Sequence, residues 1–132
     1  MSGSREKRHT ILHFGTDRSV LLSRAHSLNE MGYRVLNASD GFEAIELATR
    51  EPVDTVVLDL DRDQAEITLV ASEIKRCRPQ MPMILLTAGG PPNGAHELAD
   101  ALVPKRDNLR LLVTALENLL VTCRKEPLEA TS

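Results

Sequence analysis

A fivefold alternation of short apolar runs with helix-periodic segments constrains this chain more than any other feature. "TILHF" (10–14), "YRVLNA" (33–38), "DTVVLD" (54–59), "PMILLTA" (82–88) and "DALVP" (100–104) each have strand length. Between them, apolar residues recur at the spacing of a helix with one buried face. Leu21, Ala25 and Leu28 do so in 19–32, and Ala44, Leu47 and Ala48 in the stretch that follows the Asp40-Gly41 turn. Ile67, Val70, Ala71 and Ile74 do so in 65–78, and Leu112, Ala115, Leu116, Leu119 and Cys123 in 108–123. "GGPPNG" (89–94) reads as a loop, followed by one helical turn at 95–98. Strands alternating with helices predict an α/β fold, a doubly wound five-stranded parallel sheet covered on both faces. Right-handed crossovers bring the carboxyl ends of all strands to one edge, and chemistry in open sheets gathers there.

Composition narrows the class. With 132 residues the chain holds one domain: an arm over 1–9, the folded unit over 10–123 and a loose tail over 124–132. No apolar run approaches the roughly 20 residues of a membrane span. The polar start "MSGSREKRH" has no signal core, so a cytoplasmic protein is expected. The net charge of −3 argues against direct nucleic-acid binding. Cys77 and Cys123 show no metal-knuckle spacing and read as reduced and structural.

The strand-end residues carry the chemistry. In "LDLDRDQAE" (58–66) a buried strand runs straight into Asp59, Asp61 and Asp63, which is not a packing pattern. Gly15, Thr16 and Asp17 follow the first strand, Thr87 ends the fourth, and Lys105 follows the fifth. An acid, a hydroxyl and an amine therefore meet on one patch. Asp17 also fits as a helix cap for 19–31. His13, inside the first strand, reads as a core histidine, since no second ligand accompanies it.

These stretches ("ILHFGTDRS", "MGYRVLNASDGFEAIELA", "PVDTVVLDL", "PMILLTA" and "ADALVPK") resemble the receiver domain of bacterial two-component response regulators over about residues 10–121. The resemblance implies a flavodoxin-like, CheY-like (βα)5 fold with strand order 2-1-3-4-5. It makes Asp59 the phosphoacceptor, Thr87 the switch hydroxyl and Lys105 the phosphoryl-binding amine. It also implies a histidine kinase or phosphotransfer protein as donor, a downstream protein as target, and Mg²⁺ bridging nucleophile and phosphate.

The chain departs from that pattern in several places. Gly15 and Thr16 stand where the family has an acidic pair, which leaves Asp17, Asp59 and Asp61 as candidate metal ligands and predicts weakened Mg²⁺ binding. Leu102 replaces an aromatic. Arg106 replaces the proline after Lys105, and a cis bond there would cost about 3–4 kcal/mol. Either Val103–Pro104 is cis, or the segment is all trans and Lys105 points differently toward Asp59. Thr87 and Lys105 lie 18 positions apart, about four fewer than the pattern and about one helical turn. That shortening predicts a monomer or weak dimer. Two readings stay open: a phosphoacceptor that at most catalyses its own phosphorylation, and a degenerate receiver serving as a phosphate-independent protein-binding module.

Overall fold

A computed structural model of the chain describes residues 9–15, 17–59, 64–87, 97–105 and 109–131. The strands are β1 (Thr10–Phe14), β2 (Arg34–Ala38), β3 (Thr55–Asp59), β4 (Met83–Thr87) and β5 (Ala101–Pro104). The helices are α1 (Arg18–Glu30), α2 (Gly41–Arg50), α3 (Gln64–Cys77) and α4 (Leu109–Thr131). All neighbouring strands pair in parallel, in the order β2-β1-β3-β4-β5. This is the predicted doubly wound sheet. Glu97 and Leu98 are helical, within the turn expected at 95–98, while 88–96 lie outside the described residues.

Alternation along each strand divides the core into two layers. Leu12, Phe14, Val56, Leu58, Met83 and Leu85 pack toward Ala44, Ala48, Val70, Ala71 and Ile74 of α2 and α3. Ile11, Val57, Ile84, Leu86 and Val103 pack toward Leu28 of α1 and Leu112, Leu116 and Leu120 of α4. The same alternation sends His13 and Asp59 to the α1 side of the sheet. Every residue of β1 and β3 is buried, so any polar side chain there must find a partner inside the fold.

Local chemistry sets the element ends. Asp40 caps α2 by accepting from the Glu43 N–H at 2.9 Å, and Glu43 reaches back to the Ser39 N–H at 3.3 Å, close to a capping box. Gly32 ends α1 with φ at +101°, where a side chain would be strained, and the Tyr33 N–H returns to the Leu28 carbonyl at 3.1 Å. At the amino edge of the sheet, Asp54 accepts from the Thr10 N–H at 2.7 Å and Asp100 from the Met83 N–H at 2.8 Å. Acids at that edge hold strand starts.

Two expectations change and one open alternative closes. α4 runs on through Thr131, into the stretch read as a loose tail. Residues 124–131 are mostly good helix formers, and extending an existing helix needs no new nucleus; Pro127 is the exception, lacking the N–H of an interior position. Cys77, read as structural, is a free and exposed thiol at the end of α3. No peptide bond among the described residues is cis, so Val103–Pro104 is trans. No helix among them is long and apolar enough to cross a membrane.

Candidate functional site

Three strand registers assemble the site. Phe14 pairs with Leu58, so Gly15 lies beside Asp59 at the carboxyl edge. A Cβ on Gly15 would sit 3.0 Å from the Asp59 Cβ and 3.2 Å from Leu21 Cδ2. The approach is tight, so a side chain at position 15 asks Asp59 and Leu21 to give by a few tenths of an ångström. Asp59 pairs with Leu86, which puts Thr87 one step further along the next strand. Thr87 pairs with Pro104, and its carbonyl accepts the Lys105 N–H at 2.8 Å. Anchored there, Lys105 places Nζ 2.8 Å from Asp59 Oδ1. The trans Pro104 segment thus delivers the amine to the carboxylate directly.

Asp59 is only 5% exposed, and a buried carboxylate must be compensated. Lys105 compensates one oxygen through charge, since Oδ1 has no hydrogen bond of good angle. The other oxygen holds a partner that sequence reading missed. Arg24 of α1 donates from Nη1 to Asp59 Oδ2 at 3.1 Å. The same Nη1 lies 2.9 Å from His13 Nε2. A guanidinium has no acceptor, so the imidazole accepts there and carries its proton on Nδ1. That tautomer requires a neutral ring. Burial first, and the charge of Arg24 second, push the His13 pKa down to about 4, against smaller opposing effects from Asp59 and Asn37. His13 is therefore a core histidine, as expected, and it also seats Arg24.

A signal for Arg24 existed. Leu21, Ala25 and Leu28 are the buried positions of α1, and Arg24 stands three after Leu21 and four before Leu28, on the same stripe. A charged residue on the inward face of an amphipathic helix calls for a buried partner of opposite sign.

Asp17 serves as the N-cap of α1. Its Oδ1 accepts from the Ser19 N–H at 3.1 Å, the Ser19 hydroxyl at 3.1 Å and the Val20 N–H at 3.3 Å. Hydrogen bonds from Val20 and Ser19 hold its carboxyl below the usual range, with the charge of Lys105 a lesser cause. Thr16, Asp61, Asp63 and Arg106 lie outside the described residues. Among those described, no three metal-ligating side chains gather at one place. Asp59 has a cation on each oxygen and Asp17 is engaged at its helix. Of the three expected metal ligands, Asp59 and Asp17 are thus already engaged, and Asp61 is not among the described residues.

No family profile matches the chain. The response regulator MprA of Mycobacterium leprae (strain TN) is 32% identical over 114 residues, covering 83% of this chain and 50% of MprA. The response regulator TrrA of Thermotoga maritima, solved in complex with Mg²⁺–BeF, is 27% identical with a TM-score of 0.77, covering 85% of this chain and 99% of TrrA. The chain is a response-regulator receiver domain. A CheY-like receiver domain protein of Methanospirillum hungatei JF-1 shares the fold at a TM-score of 0.82 and 24% identity, over 91% of this chain and 99% of that one. TrrA has also been solved with the histidine kinase ThkA. This receiver domain spans about half the length, or less, of the curated relatives it matches. Its sheet order is the one the family resemblance implies, and Arg24 meets the strand-end acid from α1.

Proposed function

We propose that this receiver domain accepts a phosphoryl group on Asp59 from a histidine kinase or phosphotransfer protein and passes the change to a downstream protein. One observation carries this reading: a buried strand-end carboxylate with the Lys105 ammonium 2.8 Å from Oδ1 and Thr87 ending the next strand. The lysine screens charge on an incoming phosphoryl group, and Thr87, one step further along the next strand, brings a hydroxyl to the same edge. Phosphoryl transfer asks the protein mainly for such positioning and charge neutralisation. Likeness to MprA, and the pairing of TrrA with a histidine kinase, support the donor class. In this reading the chain performs no turnover beyond its own phosphorylation, acts in the cytoplasm, binds Mg²⁺ weakly, and is a monomer or weak dimer.

The test is intact mass after incubation with phosphoramidate and Mg²⁺. Wild type should gain one phosphoryl group, and Asp59→Asn should gain none. Equal labelling of the two would overturn Asp59 as acceptor. A second reading rests on the double ion pair itself. Arg24 and Lys105 together hold both oxygens of Asp59, an arrangement that also suits a phosphate-independent binding module. Absence of label on wild type under all conditions would favour it.

A further inference from the structure

The two cations at Asp59 are mounted differently, and the difference separates the two carboxylate oxygens. Lys105 stands just past β5, keeps 24% side-chain exposure and meets Oδ1 through charge at 2.8 Å. Among the described residues Oδ1 has no hydrogen-bond partner. Arg24 keeps 14% side-chain exposure and donates a hydrogen bond to Oδ2 at 3.1 Å. The same Nη1 also reaches His13 Nε2 at 2.9 Å, and His13 is fully buried. A ring packed inside a strand cannot follow a swinging side chain, so Arg24 is tied to Oδ2. Oδ1 is the oxygen whose lone pairs are less committed.

We infer that Arg24 is a catalytic residue of the phosphorylated state: it leaves Oδ1 to carry the phosphoryl group, and from Oδ2 it hastens the loss of that group to water. The inference rests on the phosphoacceptor reading above and concerns the regulation of the same site, namely how long the signal lasts. In an aspartyl phosphate formed on Oδ1, Oδ2 is a neutral carbonyl oxygen. As the P–O bond breaks, Oδ2 again shares a full negative charge. A hydrogen bond from a guanidinium is stronger to a charged oxygen than to a neutral one. Arg24 is therefore bonded more tightly after the step than before it, and interactions that strengthen toward the transition state are those that accelerate a reaction. Held by His13, the donor has no reorganisation left to undergo at that moment.

Both steps balance. On phosphorylation by phosphoramidate, a lone pair of Oδ1 forms the O–P bond. The P–N bond breaks, its electron pair stays on the already protonated nitrogen, and ammonia leaves. On hydrolysis, a water oxygen forms the new bond to phosphorus and gives a proton to bulk water. The P–Oδ1 bond breaks, its electron pair returns to the Asp59 carboxylate, and inorganic phosphate leaves. Arg24 stays protonated throughout, and its part is to meet the charge that returns to Oδ2.

The experiment labels wild type, Arg24→Gln and Arg24→Lys with phosphoramidate, removes the donor by desalting and follows loss of the label by intact mass, with the same Mg²⁺ concentration throughout. Arg24→Gln keeps a hydrogen-bond donor but loses the charge. Its label should last roughly tenfold longer than that of wild type, the usual difference between a charged and a neutral hydrogen bond. Arg24→Lys keeps the charge and should restore most of the wild-type decay rate. Circular dichroism checks that each variant is folded. A second readout uses wild type alone, with ¹⁵N-labelled arginine. The Arg24 Nη1 protons, bonded to His13 and Asp59, should stay protected from solvent exchange while excess donor holds Asp59 phosphorylated. An Arg24→Gln label that decays as fast as wild type, an Arg24→Lys label as long-lived as that of Arg24→Gln, or loss of Nη1 protection on phosphorylation would each overturn the inference while leaving Asp59 as acceptor. The last of these decides the matter even if Arg24→Gln does not fold. Absence of label on wild type would overturn the phosphoacceptor reading along with it.

Discussion

At the scale of single residues, His13 links the site to stability. Its pKa of about 4 in the fold lies below the ordinary 6.5, so the unfolded chain takes up the proton first as pH falls. Its contribution is fully present above pH 6.5 and is lost between 6.5 and about 4. The shift corresponds to about 3 kcal/mol at the lower end. Urea unfolding of wild type and His13→Gln should therefore converge by about that amount between pH 7 and pH 4; parallel curves would show that His13 is not held neutral. Gly15 makes a second residue-scale prediction. A methyl group at 3.0 Å from the Asp59 Cβ meets backbone-anchored carbon and not a flexible tip. Gly15→Ala should cost about 1–3 kcal/mol, read as a lower urea midpoint at constant slope. An unchanged midpoint would mean that β1 and β3 separate freely there.

At the scale of elements, α1 contributes more than a covering layer. Its inward stripe presses Leu21, Ala25 and Leu28 onto the sheet and carries Arg24 to Asp59 along the same face. The cap of α1 fixes where that stripe begins, because Asp17 satisfies the Ser19 and Val20 N–H groups. Asparagine caps about as well as aspartate, and alanine does not. Asp17→Asn should leave thermal stability unchanged and Asp17→Ala should lower it, with the response to Mg²⁺ the same in all three proteins. A weaker Mg²⁺ response in both variants would make Asp17 a metal ligand after all. The short β4–β5 connection bears on the site as well. β5 ends where the Thr87 carbonyl can grip the Lys105 backbone, so shortening the segment between them does not carry the amine away from Asp59.

At the scale of the whole molecule, one edge of the sheet gathers Asp59 and Lys105, and at the opposite edge Asp54 and Asp100 hold strand starts. On the β5 and α4 side, Leu102 is 51% and Leu111 43% exposed. Among the described residues these two apolar side chains make a small patch, far below the roughly 1,200 Å² of a stable interface. Sedimentation velocity at micromolar concentration should show a monomer or a weak dimer. A tight dimer whose interface is built on residues 93–112 would refute this.

Periodicity in the sequence determined the element order, the parallel sheet and the carboxyl edge, because burying apolar faces leaves a strand–helix alternation few other solutions. The strand-end positions of Gly15, Asp59, Thr87 and Lys105 were legible for the same reason: register follows from the buried pattern. The end of α4 was not legible, since residues 124–131 carry helix formers and a proline together and local preference alone does not choose between them. The exposure of Cys77 was not legible either, because a helix terminus can turn either face outward. The state of the site was decided only by tertiary structure. Arg24 and Asp59 are 35 residues apart, as are the two ends of their ion pair, and His13 joins them from a third element. Whether a buried carboxylate is balanced by a metal, an ammonium or a guanidinium depends on which charges the packed helices bring within about 3 Å, where low dielectric makes each charge count most. No local pattern in the sequence encodes that distance.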